Sequence, residues 1–106
     1  MSTSEDVTRK LEELWQRYLP TMQLRLASIQ AGIESLEAGH LDSEAKRRAS
    51  EDAHKLAGSL GTFGLAPSSA MAREIEHLFS ESDSTESMAR ELRKLFDSIK
   101  RDIEGR

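Results

Sequence analysis

The chain has 106 residues, a length that suits one domain with a single modest core. Its 32% of charged residues, six glycines, two prolines and net charge of −4 favour helices and offer no strongly basic surface for nucleic acid. The lack of cysteine excludes disulfides and thiolate metal sites, and no apolar run is long enough to span a membrane. The N-terminus does not resemble a signal peptide, so we expect a cytoplasmic, monomeric single domain over residues 1–106.

The first half of the chain predicts two amphipathic helices. The first covers about residues 4–18, and Pro20 is expected to end it and to open the second. Gly39 is expected to end the second helix. The apolar stripes that define these two helices are Val7, Leu11, Leu14 and Tyr18, followed by Met22, Leu26, Ile29, Ile33 and Leu36.

The second half predicts three more helices. Asp42 is a plausible N-cap for the third helix, which we expect to run through Gly58 because the apolar period continues beyond it. Gly64 fits the end of that helix, and Pro67 fits the first turn of the fourth. Asp83 and Glu86 have the spacing of a capping box before the last helix. The stripes are Ala45, Ala49, Ala53, Leu56, Leu60 and Phe63, then Met71, Ile75, Leu78 and Phe79, then Met88, Leu92, Leu95, Ile99 and Ile103.

The fold class predicted from these stripes is all-α. Each stripe is one-sided, so none of the helices is expected to be stable alone. Short connections favour an antiparallel up-down four-helix bundle over about residues 20–104. The helix over about residues 4–18 is expected to pack against this bundle as a cap.

The candidate site lies in the segment Ala53–Pro67, where a histidine is followed by three glycines. A rotation of about 100° per residue places His54 roughly 120 to 180° from the main core stripe of its helix, so the ring is expected to face solvent. Gly58 and Gly61 follow on the same face and remove two side chains. Because glycine inside a helix is unfavourable, this bare backbone indicates that a partner approaches the ring closely.

An exposed imidazole near neutral pH is a good nucleophile for a phosphoryl group. Ser50 and Glu51 lie one turn before the ring and are candidates for holding its second nitrogen as a donor. Lys55 and Arg47 are candidates for neutralising a bound phosphate. The sequence has no phosphate-binding loop and no dinucleotide-binding glycine pattern, so the phosphoryl group is expected to come from another protein.

The segment Ala53-His54-Lys55-Leu56-Ala57-Gly58-Ser59, with Gly64 after it, resembles the signature of histidine-containing phosphotransfer (HPt) domains of bacterial phosphorelays. Residues 72–76 (AREIE) are similar to the helix that follows the active histidine in that family. The resemblance covers about residues 20–104 and implies a four-helix bundle with a phosphorylatable histidine. One departure is Ala57, where many members of the family carry lysine or arginine.

By this resemblance, His54 accepts the phosphoryl group on Nε2, Lys55 helps to neutralise it, and Gly58 makes room for the partner. The implied partners are response-regulator receiver domains, together with a hybrid histidine kinase, and not nucleic acid or membrane. The implied role is that of a carrier rather than an enzyme. No cofactor is expected on this chain, and Mg²⁺ is expected only on the receiver.

Two alternatives remain open. Glu51-x-x-His54 and Glu74-x-x-His77 both have the spacing of a di-iron bundle, although both histidines are expected to face away from the core. The chain also fits a helical docking module for a signalling partner that is never phosphorylated. The presence of His54 favours the phosphotransfer interpretation over that module.

Overall fold

A computed structural model describes residues 3–40, 42–81 and 86–106. It contains four α-helices: α1 (Thr3–Glu37), α2 (Ser43–Thr62), α3 (Ala66–Ser80) and α4 (Glu86–Glu104). These ranges contain no strand, which confirms the predicted all-α class. α1 packs against α2 and α4, and α3 packs against the same two helices. No helix within the described ranges combines the length and the apolar character that crossing a bilayer requires.

One apolar core runs along the middle of the bundle. Among the described residues, the twelve largest fully buried side chains come from all four helices, and ten of them belong to the predicted stripes. Burying these side chains supplies most of the stability that short amphipathic helices lack alone. They are Trp15, Met22, Ile29, Ile33, Leu56, Leu60, Ile75, Phe79, Leu92, Phe96, Ile99 and Ile103.

Local signals set most of the helix ends as predicted. Asp42 caps α2 by accepting a hydrogen bond from the Ala45 amide at 2.7 Å. Gly39 and Gly64 follow α1 and α2 with φ of 83° and 78°, the left-handed region that glycine enters at little cost. Pro67 lies in the first turn of α3. The capping box predicted from Asp83 lies outside the described residues.

The predicted helix break at Pro20 is wrong, and with it the separate N-terminal capping helix. α1 is one helix of 35 residues with Pro20 inside it. A proline in a helix interior loses one backbone hydrogen bond and typically costs about 3 kcal/mol. Here Trp15 precedes it and Met22 follows it, and both side chains are buried in the same core. Because side chains on both sides of Pro20 are buried in one core, the helix continues through the proline instead of ending there.

The first half of α1 therefore carries two apolar stripes that point in different directions. Trp15 belongs to the core stripe and packs edge-on against Phe63, with ring centroids 5.2 Å apart. The second stripe is the one predicted for residues 4–18, and it stays largely exposed. Its members are spaced by four, three and four residues, as in the contact line between two packed helices. Its members and their exposed fractions are Val7 51%, Leu11 41%, Leu14 38% and Tyr18 46%.

An ion pair ties the end of α1 to α4. Arg93 donates from Nη2 to Oε1 of Glu37 at 2.7 Å and from Nε to Oε2 at 3.2 Å. The hydrogen bonds from Arg93 hold the pKa of Glu37 below its usual 4.5. A carboxylate with a lowered pKa stabilises the fold above its unfolded-state pKa, and this contribution disappears as the pH falls through the folded-state value.

Glu37→Gln is accordingly expected to destabilise the protein slightly, and only when the carboxylate is charged. Both side chains are partly exposed, so we expect a loss of about 0.5 kcal/mol at pH 7. The difference from wild type should shrink below pH 4.5, where Glu37 becomes protonated in the unfolded chain. Urea unfolding of both proteins at pH 7 and pH 3 measures this. A loss that is equally large at pH 3 would show that the ion pair is not its cause.

Candidate functional site

His54 lies in the middle of α2, on the face that points away from the core. Its side chain is 73% exposed, as the helical periodicity predicts. The flanking residues Ala53 and Leu56 are buried, and they fix the rotation of α2 about its axis. The imidazole is therefore held at the surface by a rigid helix rather than by a loop.

One ring nitrogen of His54 is engaged by Glu76 of α3. Nδ1 lies 3.1 Å from Oε1 and 3.0 Å from Oε2 of Glu76. A carboxylate only accepts hydrogen bonds, so Nδ1 carries the proton in the neutral ring. The lone pair is then on Nε2. This arrangement leaves Nε2 as the nucleophilic atom of an exposed imidazole.

The sequence did not predict Glu76 as the partner of the His54 ring. Ser50 and Glu51, which were predicted to hold its second nitrogen, make other contacts. Glu51 forms an ion pair with Arg47 at 2.7 Å, and Ser50 Oγ lies 3.5 Å from the backbone carbonyl of Glu76. The sequence signal for Glu76 is its position directly after the core residue Ile75, at the edge of a stripe. Which helix this edge faces depends on how α2 and α3 pack.

Arg47 is already neutralised on its own helix. Its guanidinium lies 2.5 Å from Glu44 and 2.7 Å from Glu51. The hydrogen bonds that Arg47 donates to Glu44 and then to Glu51 raise the pKa of Arg47, and those that it donates to Glu44 lower the pKa of Glu44. The structure thus does not bring Arg47 to the ring as a spare positive charge.

The two glycines beside His54 differ in the space around them. A Cβ added to Gly58 would meet nothing within 4 Å, whereas one added to Gly61 would lie 3.5 Å from Ser69 Oγ. Ser69 is buried and donates a hydrogen bond to the Ala57 carbonyl at 2.8 Å. Gly61 therefore lies where α2 approaches α3, and Gly58 opens directly to solvent one turn beyond the ring.

An apolar groove begins at Gly58 and runs between α2 and the first half of α1. Lys55 is exposed along its border, and the structure describes no carboxylate within ion-pair distance of its ammonium group. Ala57, where the resemblance leads one to expect a basic residue, is only 2% exposed and faces the core. The residues that line the groove are Leu11, Leu14, Tyr18, Arg25, Lys55, Gly58, Ser59, Thr62 and Phe63.

The two Glu-x-x-His pairs do not come together. Glu51 is bound to Arg47, and His77 pairs with Glu81 at 3.2 Å on the outer face of α3. Within residues 3–40, 42–81 and 86–106, no three histidine or acidic side chains converge in a way that would hold a metal ion.

Comparison with known proteins gives two matches of different extent. The family model of the Hpt domain matches residues 13–102. Protein RcaC of Microchaete diplosiphon is 33% identical over 67 residues, which are 63% of this chain and 10% of that protein. The chain thus spans about a tenth of the length of this relative. No solved structure gives a significant match.

The family match includes both His54 and Glu76, and it extends over nearly all of the four-helix arrangement. Hpt domains are phosphotransfer modules that carry a phosphoryl group on histidine and interact with receiver domains and kinases in phosphorelays. The exposed imidazole with one nitrogen held as a donor is a geometry suited to that chemistry. The chain therefore belongs to the Hpt domain family.

Proposed function

We propose that this protein accepts a phosphoryl group on His54 from the aspartate of a receiver domain and passes it to a second receiver. The observation that carries this proposal is the contact between Nδ1 of His54 and the Glu76 carboxylate, with the rest of the ring exposed. The ring is held in the tautomer in which Nε2 attacks. The same side chain is open to a partner protein.

The transfer balances without any further reactant. The Nε2 lone pair forms the N–P bond, and the bond between phosphorus and the aspartate oxygen of the receiver breaks. The aspartate leaves as a carboxylate, and Nδ1 keeps its proton, so the phosphorylated ring is positively charged. Glu76 accepts the hydrogen bond from that ring and stabilises its charge. The reverse reaction hands the phosphoryl group on.

Lys55 and Gly58 complete the site in this proposal. Lys55 follows His54 directly and brings a positive charge to the phosphoryl oxygens, which carry most of the charge in such a transfer. Gly58 leaves the approach to the ring open. The chain contributes positioning and charge, and we expect Mg²⁺ to be required only by the aspartate site of the receiver.

The proposed scaffold is an antiparallel up-down bundle that acts as a single cytoplasmic, monomeric domain over residues 1–106. Contacts between helix ends support the antiparallel order. Lys46 near the start of α2 donates to the carbonyl of Glu81, just past the end of α3. Ser68 at the start of α3 donates to Asp102 at the end of α4 at 2.7 Å.

The direct test mixes this protein with a panel of receiver domains carrying labelled aspartyl phosphate. We expect rapid transfer of label that is stable in base and labile in acid, as an N–P bond is. Mass spectrometry should locate it on His54 and not on His40 or His77. If receivers that exchange phosphate with another carrier give no label here, the chain is a docking module and the proposal fails.

Glu76→Ala tests the positioning of the ring. Without an acceptor at Nδ1 the ring loses its fixed tautomer, and we expect transfer to slow by about tenfold. Glu76→Gln keeps an oxygen at the same distance and should recover most of the rate, while the loss of charge weakens the stabilisation of the phosphorylated ring. The transfer rates measure the functional effect of each variant. The ¹⁵N shifts of the two ring nitrogens of His54 show which of them carries the proton. Wild-type rates in Glu76→Ala would contradict this role.

A further inference from the structure

Arg25 of α1 lies in the groove beside the candidate site and is held there by α2. Its Nη1 donates to Ser59 Oγ at 3.3 Å, and Ser59 Oγ in turn donates to the carbonyl of Lys55 at 3.2 Å. The side chain of Arg25 is half-buried. A guanidinium from a different helix is therefore anchored to the residue that directly follows Gly58.

The charge of Arg25 is not neutralised within the protein. In the part of the chain that the structure describes, no carboxylate lies within ion-pair distance of its guanidinium. Arg47 on the other side of His54 has two such partners. An uncompensated, half-buried arginine held by one hydroxyl is a ready binding group for a doubly charged anion.

The space between Arg25 and the ring is open. Gly58 lies one turn after His54 on the same face of α2, and Ser59 is the next residue, so Gly58 lies between the ring and the bound guanidinium. A Cβ at Gly58 would meet nothing within 4 Å. Ser59 follows His54 by five residues, which is about 7.5 Å along the axis of α2 and about 140° around it, so the guanidinium must swing past Gly58 toward the start of α2 to reach the ring. Rotation about the several bonds of the long arginine side chain allows this movement.

We propose that Arg25 binds the phosphoryl group once it is on His54, as a second cation beside Lys55. On this assignment Ser59 holds the guanidinium while the ring is free, and the phosphoryl oxygens accept its hydrogen bonds when the ring is loaded. Arg25 thus stabilises the phosphorylated form of the carrier. The inference rests on the proposed function, because it requires a phosphoryl group on His54.

The test is the equilibrium of phosphoryl exchange with a receiver, rather than its rate alone. At equilibrium the ratio of phosphorylated to free carrier, divided by the same ratio for the receiver, depends only on the free energies of the separate proteins. A substitution that only weakens docking slows both directions equally and leaves this ratio unchanged. A substitution that removes a group bound to the phosphoryl moves the ratio toward the receiver.

Arg25→Gln is expected to shift this ratio toward the receiver by about fivefold, the size of one partly exposed charge-assisted hydrogen bond. Arg25→Lys keeps the charge and should restore most of the ratio. Arg17→Gln removes an exposed arginine from the same helix outside the groove and should leave the ratio unchanged. Circular dichroism melts of all three variants report whether the fold is retained.

Two results would overturn the assignment while the proposed function stands. One is normal exchange by wild type with an unchanged ratio in Arg25→Gln. The other is an equal slowing of both directions, which would make Arg25 a docking residue only. If wild type itself takes no phosphoryl group from receivers that exchange with other carriers, the proposed function fails, and the role of Arg25 fails with it.

Discussion

His54→Gln is expected to take up no phosphoryl label from any receiver, while its fold and stability remain those of wild type. The side chain is 73% exposed, and its hydrogen bond to Glu76 is at the surface, so replacing it leaves no cavity and no buried unpaired group. Glutamine has no nucleophilic nitrogen of comparable reactivity. The loss of phosphoryl uptake in His54→Gln should therefore be complete rather than partial. Labelling with phosphorylated receivers and gel autoradiography measure it.

The chain supplies its own matched controls for that experiment. His40 and His77 are exposed histidines of the same chemistry, and neither faces the groove beside Gly58. His77→Gln and His40→Gln should take up label as wild type does. Residual base-stable label on His54→Gln would mean that a second histidine accepts the phosphoryl group, and the site would have to be placed elsewhere.

Gly58→Gln is expected to abolish transfer almost as fully, for a steric reason. A side chain at this position projects into open space one turn from the ring, where the receiver must approach to within bonding distance of Nε2. We expect the transfer rate to fall by about a hundredfold or more, because a misplacement of about 1 Å already costs that much. Stopped-flow or rapid-quench transfer from a phosphorylated receiver measures it.

Gly58→Ala separates steric block from damage to the helix. A Cβ here meets nothing within 4 Å, and alanine stabilises a helix interior by roughly 0.5 to 1 kcal/mol relative to glycine. Gly58→Ala should therefore be slightly more stable than wild type and lose much less transfer than Gly58→Gln. Equal transfer in wild type and Gly58→Gln would show that partners do not approach from this side.

The features that were predictable from sequence are those set by neighbours along the chain. Asp42, Gly39, Gly64 and Pro67 act within one turn of the helix ends they define, so their residue types are enough. The outward face of His54 follows from the buried positions on its own helix. Periodicity within one element carries this information without any knowledge of the partner helices.

What the sequence did not reveal depends on contacts between helices. Pro20 has the local signature of a helix end, but burial of Trp15 and Met22 on either side outweighs it. Glu76 reaches His54 from a helix 22 residues away in sequence, and Arg25 reaches Ser59 from 34 residues away. The relative rotation of packed helices decides these pairs, and it is fixed by the core rather than by any short motif.

The unbroken path of α1 through Pro20 also constrains how this gene segment accepts insertions and deletions. The core stripe continues on both sides of the proline, while the exposed stripe from Val7 to Tyr18 precedes it. One residue added between Tyr18 and Met22 would turn everything before it by about 100° relative to the bundle. A loop at Pro20 would absorb such a change. A continuous helix transmits the rotation to every residue before the insertion. The fold therefore requires the number of residues across this junction as well as their identity.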